Sequence, residues 1–151
     1  MFNVEPINEE VIYDGRPMIT ETDLRGKIVF MNRKFKEMSG YTKEELIGRP
    51  HSVVRHPDMP REAFCCLWDT IKKGDIWSGF VKNLRKDGRY YWVEVIVEPI
   101  KEPTTDQITG YCASRRPVSE KDKAYASEMF QKLKCGEITD LNLHREFHQR
   151  S

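Results

Sequence analysis

Residues 77–97, WSGFVKNLRKDGRYYWVEVIV, decide the architecture. Trp77, Gly79, Val81 and Asn83 alternate with Ser78, Phe80 and Lys82, which is the two-residue period of a half-buried strand. After Lys86-Asp87-Gly88, whose D-G pair favours a tight hairpin turn, the alternation resumes. Tyr91, Val93, Val95 and Val97 take one side, and Tyr90, Trp92, Glu94, Ile96 and Glu98 the other. The stretch predicts a long antiparallel hairpin with one face turned to a core.

Downstream, the polar loop Glu102–Asp106 leads to a further strand over Ile108–Arg115. After Pro117, Ser119 can cap a helix carrying Tyr125, Met129, Phe130 and Leu133. The polar residues from Glu137 to Ser151 are expected to be frayed or weakly helical. Upstream, Met18–Thr22 and Lys27–Met31 flank Asp23-Leu24-Arg25-Gly26, with the Asp and Gly of a tight turn. Short helices follow. Asn32 can cap Arg33–Ser39, Thr42 and Glu45 form a T-x-x-E capping box, and Asp58 can cap a longer helix. That helix carries Phe64, Leu67, Trp68 and Ile71 at helical spacing and closes at Gly74. The order predicts an α+β fold: a five-stranded antiparallel sheet with short helices on one face, an N-terminal cap over 1–16 and a C-terminal helix.

The chain has 151 residues, enough for one domain with its own core. Lys and Arg total 25 against 24 acidic residues, so a nucleic-acid partner is not indicated. Cys65, Cys66, Cys112 and Cys135 include no C-x-x-C pair, which argues against a zinc site or a disulfide framework. No apolar run approaches the ~20 residues needed to cross a bilayer, and the N-terminus is not signal-like. A cytoplasmic domain without direct membrane insertion is expected.

The stretches ITETDLRGKIVFMN (19–32), MSGYTKEEL (38–46) and IGRPHSVVRHPDMP (47–60) resemble PAS domains. WSGFVKNLRKDGRYYW (77–92) and GYCASR (110–115) continue the likeness. The R-H-P-D-M-P run, joined to W-S-G-x-V-K-N, is similar to the sensory domain of aerotaxis receptors. The resemblance covers about Met18 to Pro117 and implies a PAS sensor over 17–117, followed by a signalling helix and tail over 118–151. It implies FAD bound non-covalently, with flavin redox state relayed to a chemoreceptor or transducer carrying a HAMP or signalling domain. It also allows a homodimer. A stand-alone energy-taxis protein of this kind would act at the inner face of the membrane, through its transducer.

A flavin needs a flat apolar slot, donors at the ring edge and positive charge near its phosphates. Trp68 and Trp77 are candidate walls, or ordinary core residues. Arg55 and His56 match the family's flavin motif. Arg55 suits a phosphate, or an ion pair with Asp58 or Glu62. His51 is expected at the pocket mouth, and Asp58 at a cap or beside ligand. The amides of Asn32 and Asn83 suit a ring edge, Asn32 with a cap as its alternative. Cys112 and Ser114 would face inward if Gly110 does. The outer sheet face, with Tyr90, Trp92 and Tyr111, is expected to meet the partner.

Haem held by His51 or His56 is the rival cofactor, and a cofactor-free dimerisation module the rival class. LOV photoreceptors resemble this fold but require a cysteine where this chain reads Ser52-Val53-Val54-Arg55-His56, so thiol photochemistry is not expected. No nucleophile–base pair or glycine-rich dinucleotide fingerprint suggests an enzyme.

Overall fold

The first hairpin of the chain forms because Asp23 organises its own turn. Its Oδ1 accepts from the Arg25 and Lys27 amides at 2.9 Å each, and its carbonyl accepts from Gly26 N–H at 3.1 Å. The computed structural model describes residues 3–136, so the tail over 137–151 lies outside the described residues. The strands are β1 (Ile19–Thr22), β2 (Ile28–Met31), β3 (Trp77–Leu84), β4 (Tyr90–Lys101) and β5 (Ile108–Arg116). Helices α1 (Arg33–Ser39), α2 (Lys43–Leu46), a 3₁₀ turn (His51–Val54) and α3 (Arg61–Lys72) separate β2 from β3, and α4 (Glu120–Lys134) follows β5.

The sheet order is β2-β1-β5-β4-β3, antiparallel throughout. Two local hairpins thus flank a centre where the last strand joins the first. Short capped helices make the roof. Asn32 accepts from Phe35 N–H, and Gly40 ends α1 in the left-handed region at φ 80°, where a side chain would be strained. The Thr42–Glu45 capping box is complete.

Asp58 does not cap α3 as expected. The N-cap is Pro60, with no side-chain cap bond, and the Asp58 carboxylate instead pairs with Lys82 on β3 at 2.8 Å. On the outer face, Trp92 stacks on Phe130 of α4 with centroids 6.2 Å apart. The N-terminal segment runs beside β4, with Val11 N–H donating to Tyr90 C=O and Tyr90 N–H to Glu9 C=O. Its Tyr13 hydroxyl donates to the Arg16 carbonyl at 2.5 Å and lies 3.4 Å from the Arg115 carbonyl. The segment around Tyr13 and the start of α4 therefore both lie near the end of β5.

Candidate ligand-binding site

Strand register sets the floor of the site. Thr20 pairs with Ala113, Ala113 with Val97 and Val97 with Trp77, giving one inward row. Thr22–Tyr111, Arg115–Val95 and Val81 fill the neighbouring rows. Above them, α3 presents Phe64, Leu67, Trp68 and Ile71. Ile71 is fully buried, but Phe64, Leu67 and Trp68 are only half-buried, because they front a cavity of about 240 Å³. That is the scale of a ring system rather than of a whole dinucleotide, set against ~300–1,000 Å³ for typical ligand sites.

Trp68 spans the roof. Its ring meets Tyr111 edge-on at 5.7 Å and 87°, and a Cβ added to Gly26 would lie 2.8 Å from its Cζ2. The turn glycine, at φ +84°, is what lets the hairpin close against the indole.

The polar end is built on Arg115, 6% exposed. One terminal nitrogen donates to Thr20 Oγ1 at 2.9 Å and to Ala113 C=O at 3.1 Å. The other lies 2.9 Å from His51 Nε2, and Nε has no partner. Its face lies over Phe35 at 5.0 Å. A guanidinium can only donate, so His51 Nε2 must accept, and the ring is neutral with its proton on Nδ1. Thr20 Oγ1, 3.1 Å from Nε2, adds to the same acceptor. Enclosure of the ring, then the Arg115 charge, hold the His51 pKa down to about 3. Burial lowers Arg115 itself to about 10 and raises the enclosed Tyr91 hydroxyl, beside Asn83, to about 12.

Arg55 also lines the cavity. Its guanidinium stacks on Phe64 at 3.7 Å, and Nε is buried without a partner. The expected alternative, an ion pair with Asp58 or Glu62, does not form. Those acids meet Lys82 and Arg61 respectively.

Of the residues expected from sequence, His51, Arg55, Trp68, Asn83 and Cys112 line the cavity, and Asn32, His56, Asp58, Trp77 and Ser114 do not. Asn32 is committed as a cap. It accepts from Phe35 and Ile19 N–H and donates to Pro17 C=O. His56 packs edge-on against Tyr90 at 6.1 Å and accepts from Asp58 N–H. Trp77 lies on the inward face, 3% exposed, but at the far end of its row. His51, half-buried, sits at the polar end of the cavity with Arg115 and Thr20. The parity expected for β5 was reversed: Tyr111, Ala113 and Arg115 are buried, while Cys112 and Ser114 alternate with them. Cys112 pairs with Glu21 and Glu98, whose charges, after burial, raise its thiol pKa. Tyr111 is therefore a cavity wall and not part of the outer face.

Sequence reasoning missed Thr20, Tyr111 and above all Arg115. Setting the β5 parity by its bulkiest residue, Tyr111, rather than by Gly110 would have turned Arg115 inward. Gly110 is in fact a point of close approach, where a Cβ would lie 2.3 Å from Thr22 O.

A five-stranded antiparallel sheet in this order, roofed by short helices, is the architecture of a PAS-type sensor domain. The PAS fold family matches residues 28–112, and the chain belongs to it. Within that family it is 39% identical to the aerotaxis receptor of Escherichia coli (strain K12) over 132 residues. The match covers 87% of this chain and 26% of the receptor. It is 29% identical to the nitrogen fixation regulatory protein of Klebsiella oxytoca over 101 residues, 67% of this chain and 20% of that protein. Among solved structures, the light-state blue-light photoreceptor Aureochrome1 LOV superposes with a TM-score of 0.66 at 25% identity. That superposition covers 74% of this chain and 90% of the other. The match thus spans about a quarter of the length of the first of these curated relatives and a fifth of the second.

Proposed function

We propose that this PAS domain is a redox sensor for energy taxis: residues 17–117 hold FAD non-covalently, and the flavin's redox state is relayed to a chemoreceptor-type transducer. The observation that carries this reading is the cavity itself. It is apolar along α3 and the sheet, ends on a buried arginine, and has arginines but no acid among its lining residues. The similarity to an aerotaxis receptor supports the same reading.

The residues fit such a group. Trp68, Tyr111, Val81, Val95 and Val97 supply walls for a flat ring, and Arg115 and Asn83 supply donors. Arg55, with an unsatisfied buried Nε, supplies charge for a phosphate. A bound flavin would bring reversible electron transfer, with a change of charge and protonation on its ring. Arg115 is placed to answer that change, since its guanidinium is buried and, among the described residues, meets no carboxylate. Arg115 is also two residues from Pro117, where the chain turns towards α4. The Arg115 carbonyl lies 3.4 Å from the Tyr13 hydroxyl, and the neighbouring Arg116 faces outward to Glu94 at 3.2 Å. A shift of β5 therefore reaches both the N-terminal segment and the Trp92–Phe130 stack under α4. Couplings of this kind typically amount to ~1–3 kcal/mol, enough to bias a two-state partner.

Haem fits less well. His56 is outside the cavity, and Nε2 of His51 is engaged by Arg115 and Thr20. Among the described residues no helix is long and apolar enough to cross a membrane. The domain is proposed to work in the cytoplasm, beside a membrane-bound transducer. The absorption spectrum of freshly purified protein, oxidised and dithionite-reduced, tests the reading. Flavin bands that bleach on reduction are expected. A Soret band, or colourless protein that takes up no FAD on reconstitution, would reject it.

A further inference from the structure

The cavity is lined by three arginines, Arg25, Arg55 and Arg115, and by no aspartate or glutamate. Of the other arginines, Arg16, Arg61, Arg85, Arg89 and Arg116 each meet a carboxylate, while among the described residues no ion pair is seen for the surface residue Arg33. Among the described residues, none of the three cavity arginines meets a carboxylate. Arg25 sits at the tip of the β1–β2 turn and is exposed. The nearest acid in sequence, Asp23, directs its carboxylate to backbone amides, those of Arg25 and Lys27. The turn is also fixed in place: Gly26 abuts Trp68, and His51 N–H donates to Gly26 C=O at 3.1 Å. Arg25 is therefore carried on a braced segment and not on a free loop.

The two rim arginines flank one stretch of helix. Arg55 stacks on Phe64, and Arg25 follows from the turn that abuts Trp68. Phe64 and Trp68 are four residues apart, on the same face of adjacent turns of α3, about 6 Å along its axis. Arg25 and Arg55 both line the cavity, the one exposed and the other half-buried, so both stand on its solvent side.

Resting on the flavin reading, we infer that Arg25 is a second anion contact, which with Arg55 clamps the phosphate tail at the cavity mouth. The pair makes the site select phosphorylated flavins over the bare ring system. Arg115 deals with the ring, and Arg25 and Arg55 with the tail.

The test compares ligand-free wild type with Arg25→Gln and Arg25→Lys, titrated with riboflavin, FMN and FAD by flavin fluorescence. Arg25→Gln should weaken FAD by about tenfold, the scale of one charge-assisted contact, and leave riboflavin within twofold. Arg25→Lys should recover part of the loss. FMN separates a clamp on the first phosphate, which weakens FMN equally, from one on the second, which spares it. Equal losses for riboflavin and FAD, or no loss for FAD, would overturn the inference. If wild type takes up none of the three flavins, the flavin reading falls. The clamp is then judged by whether inorganic pyrophosphate shifts the Arg25 and Arg55 Nε–H resonances together. Absence of that shift would reject the clamp as well.

Discussion

Replacing Arg115 by methionine separates a ligand contact from a structural strut. In the folded chain, burial lowers the Arg115 pKa from 12.5 to about 10. At 1.36 kcal/mol per pKa unit, this is roughly 3 kcal/mol against the charged form. The sign is fixed by linkage. A base whose pKa is depressed on folding destabilises the fold wherever it is protonated in both states, here at every pH below about 10. Against that stand hydrogen bonds to Thr20, Ala113 C=O and His51, each worth about 1 kcal/mol net. The two contributions nearly cancel. Methionine fills similar volume, and Thr20 Oγ1 still serves His51 Nε2. Arg115→Met should therefore change the stability of ligand-free protein by less than about 1 kcal/mol, well below the ~2–5 kcal/mol of ordinary large-to-small core substitutions. Flavin affinity should fall at least about tenfold, for loss of one charge-assisted donor. Urea unfolding of ligand-free protein and flavin titration read the two quantities separately. Destabilisation beyond about 3 kcal/mol, or undiminished flavin affinity, would show that Arg115 props the fold and does not serve a ligand.

Two further substitutions probe the walls and the polar end. Gly26→Ala places a side chain at φ +84° and 2.8 Å from Trp68 Cζ2. The left-handed conformation alone costs about 1–2 kcal/mol, so Tm should fall by about 2–8 °C and flavin binding should weaken; a Tm within a degree of wild type contradicts the packing described. His51 binds its proton more weakly folded (pKa about 3) than unfolded (6.5). Between those values the unfolded chain holds the extra proton, so stability falls as pH drops from about 6.5 towards 3. His51→Gln should remove up to about 1.4 kcal/mol per pH unit from that slope, measured by urea unfolding between pH 6.5 and 4.5. Unchanged slopes, or an imidazole resonance titrating near pH 6, would refute the neutral assignment.

Local signals made most of the fold readable before any tertiary contact was known. Two-residue alternation across 77–97 specified the hairpin and its cavity-facing side, because successive strand side chains must point to opposite faces; that Phe80, Trp92 and Glu94 on the other face are buried as well was not legible there. Asp23, Asn32, the Thr42–Glu45 box and Ser119 marked turns and helix starts, because each satisfies backbone amides within a few residues of itself. The amphipathic spacing of Phe64, Leu67, Trp68 and Ile71 likewise named the helix that roofs the cavity.

Long-range placement was different in kind. Asp58 sits where a cap belongs, yet its carboxylate meets Lys82, 24 residues away, and nothing local ranks those two outcomes. The facing of β5 was ambiguous because glycine, cysteine, alanine and serine are too small to declare a buried side. Only pairing with β1 and β4 turned Tyr111 and Arg115 inward. His51, Thr20 and Arg115 span 95 positions in the chain and become one polar cluster only when the last strand closes against the first. Sequence alone thus determined most of the elements and the apolar lining supplied by α3 and the β3–β4 hairpin, since those follow from periodicity. Tertiary structure decided which charges the cavity holds, since that depends on which distant acids fail to reach them.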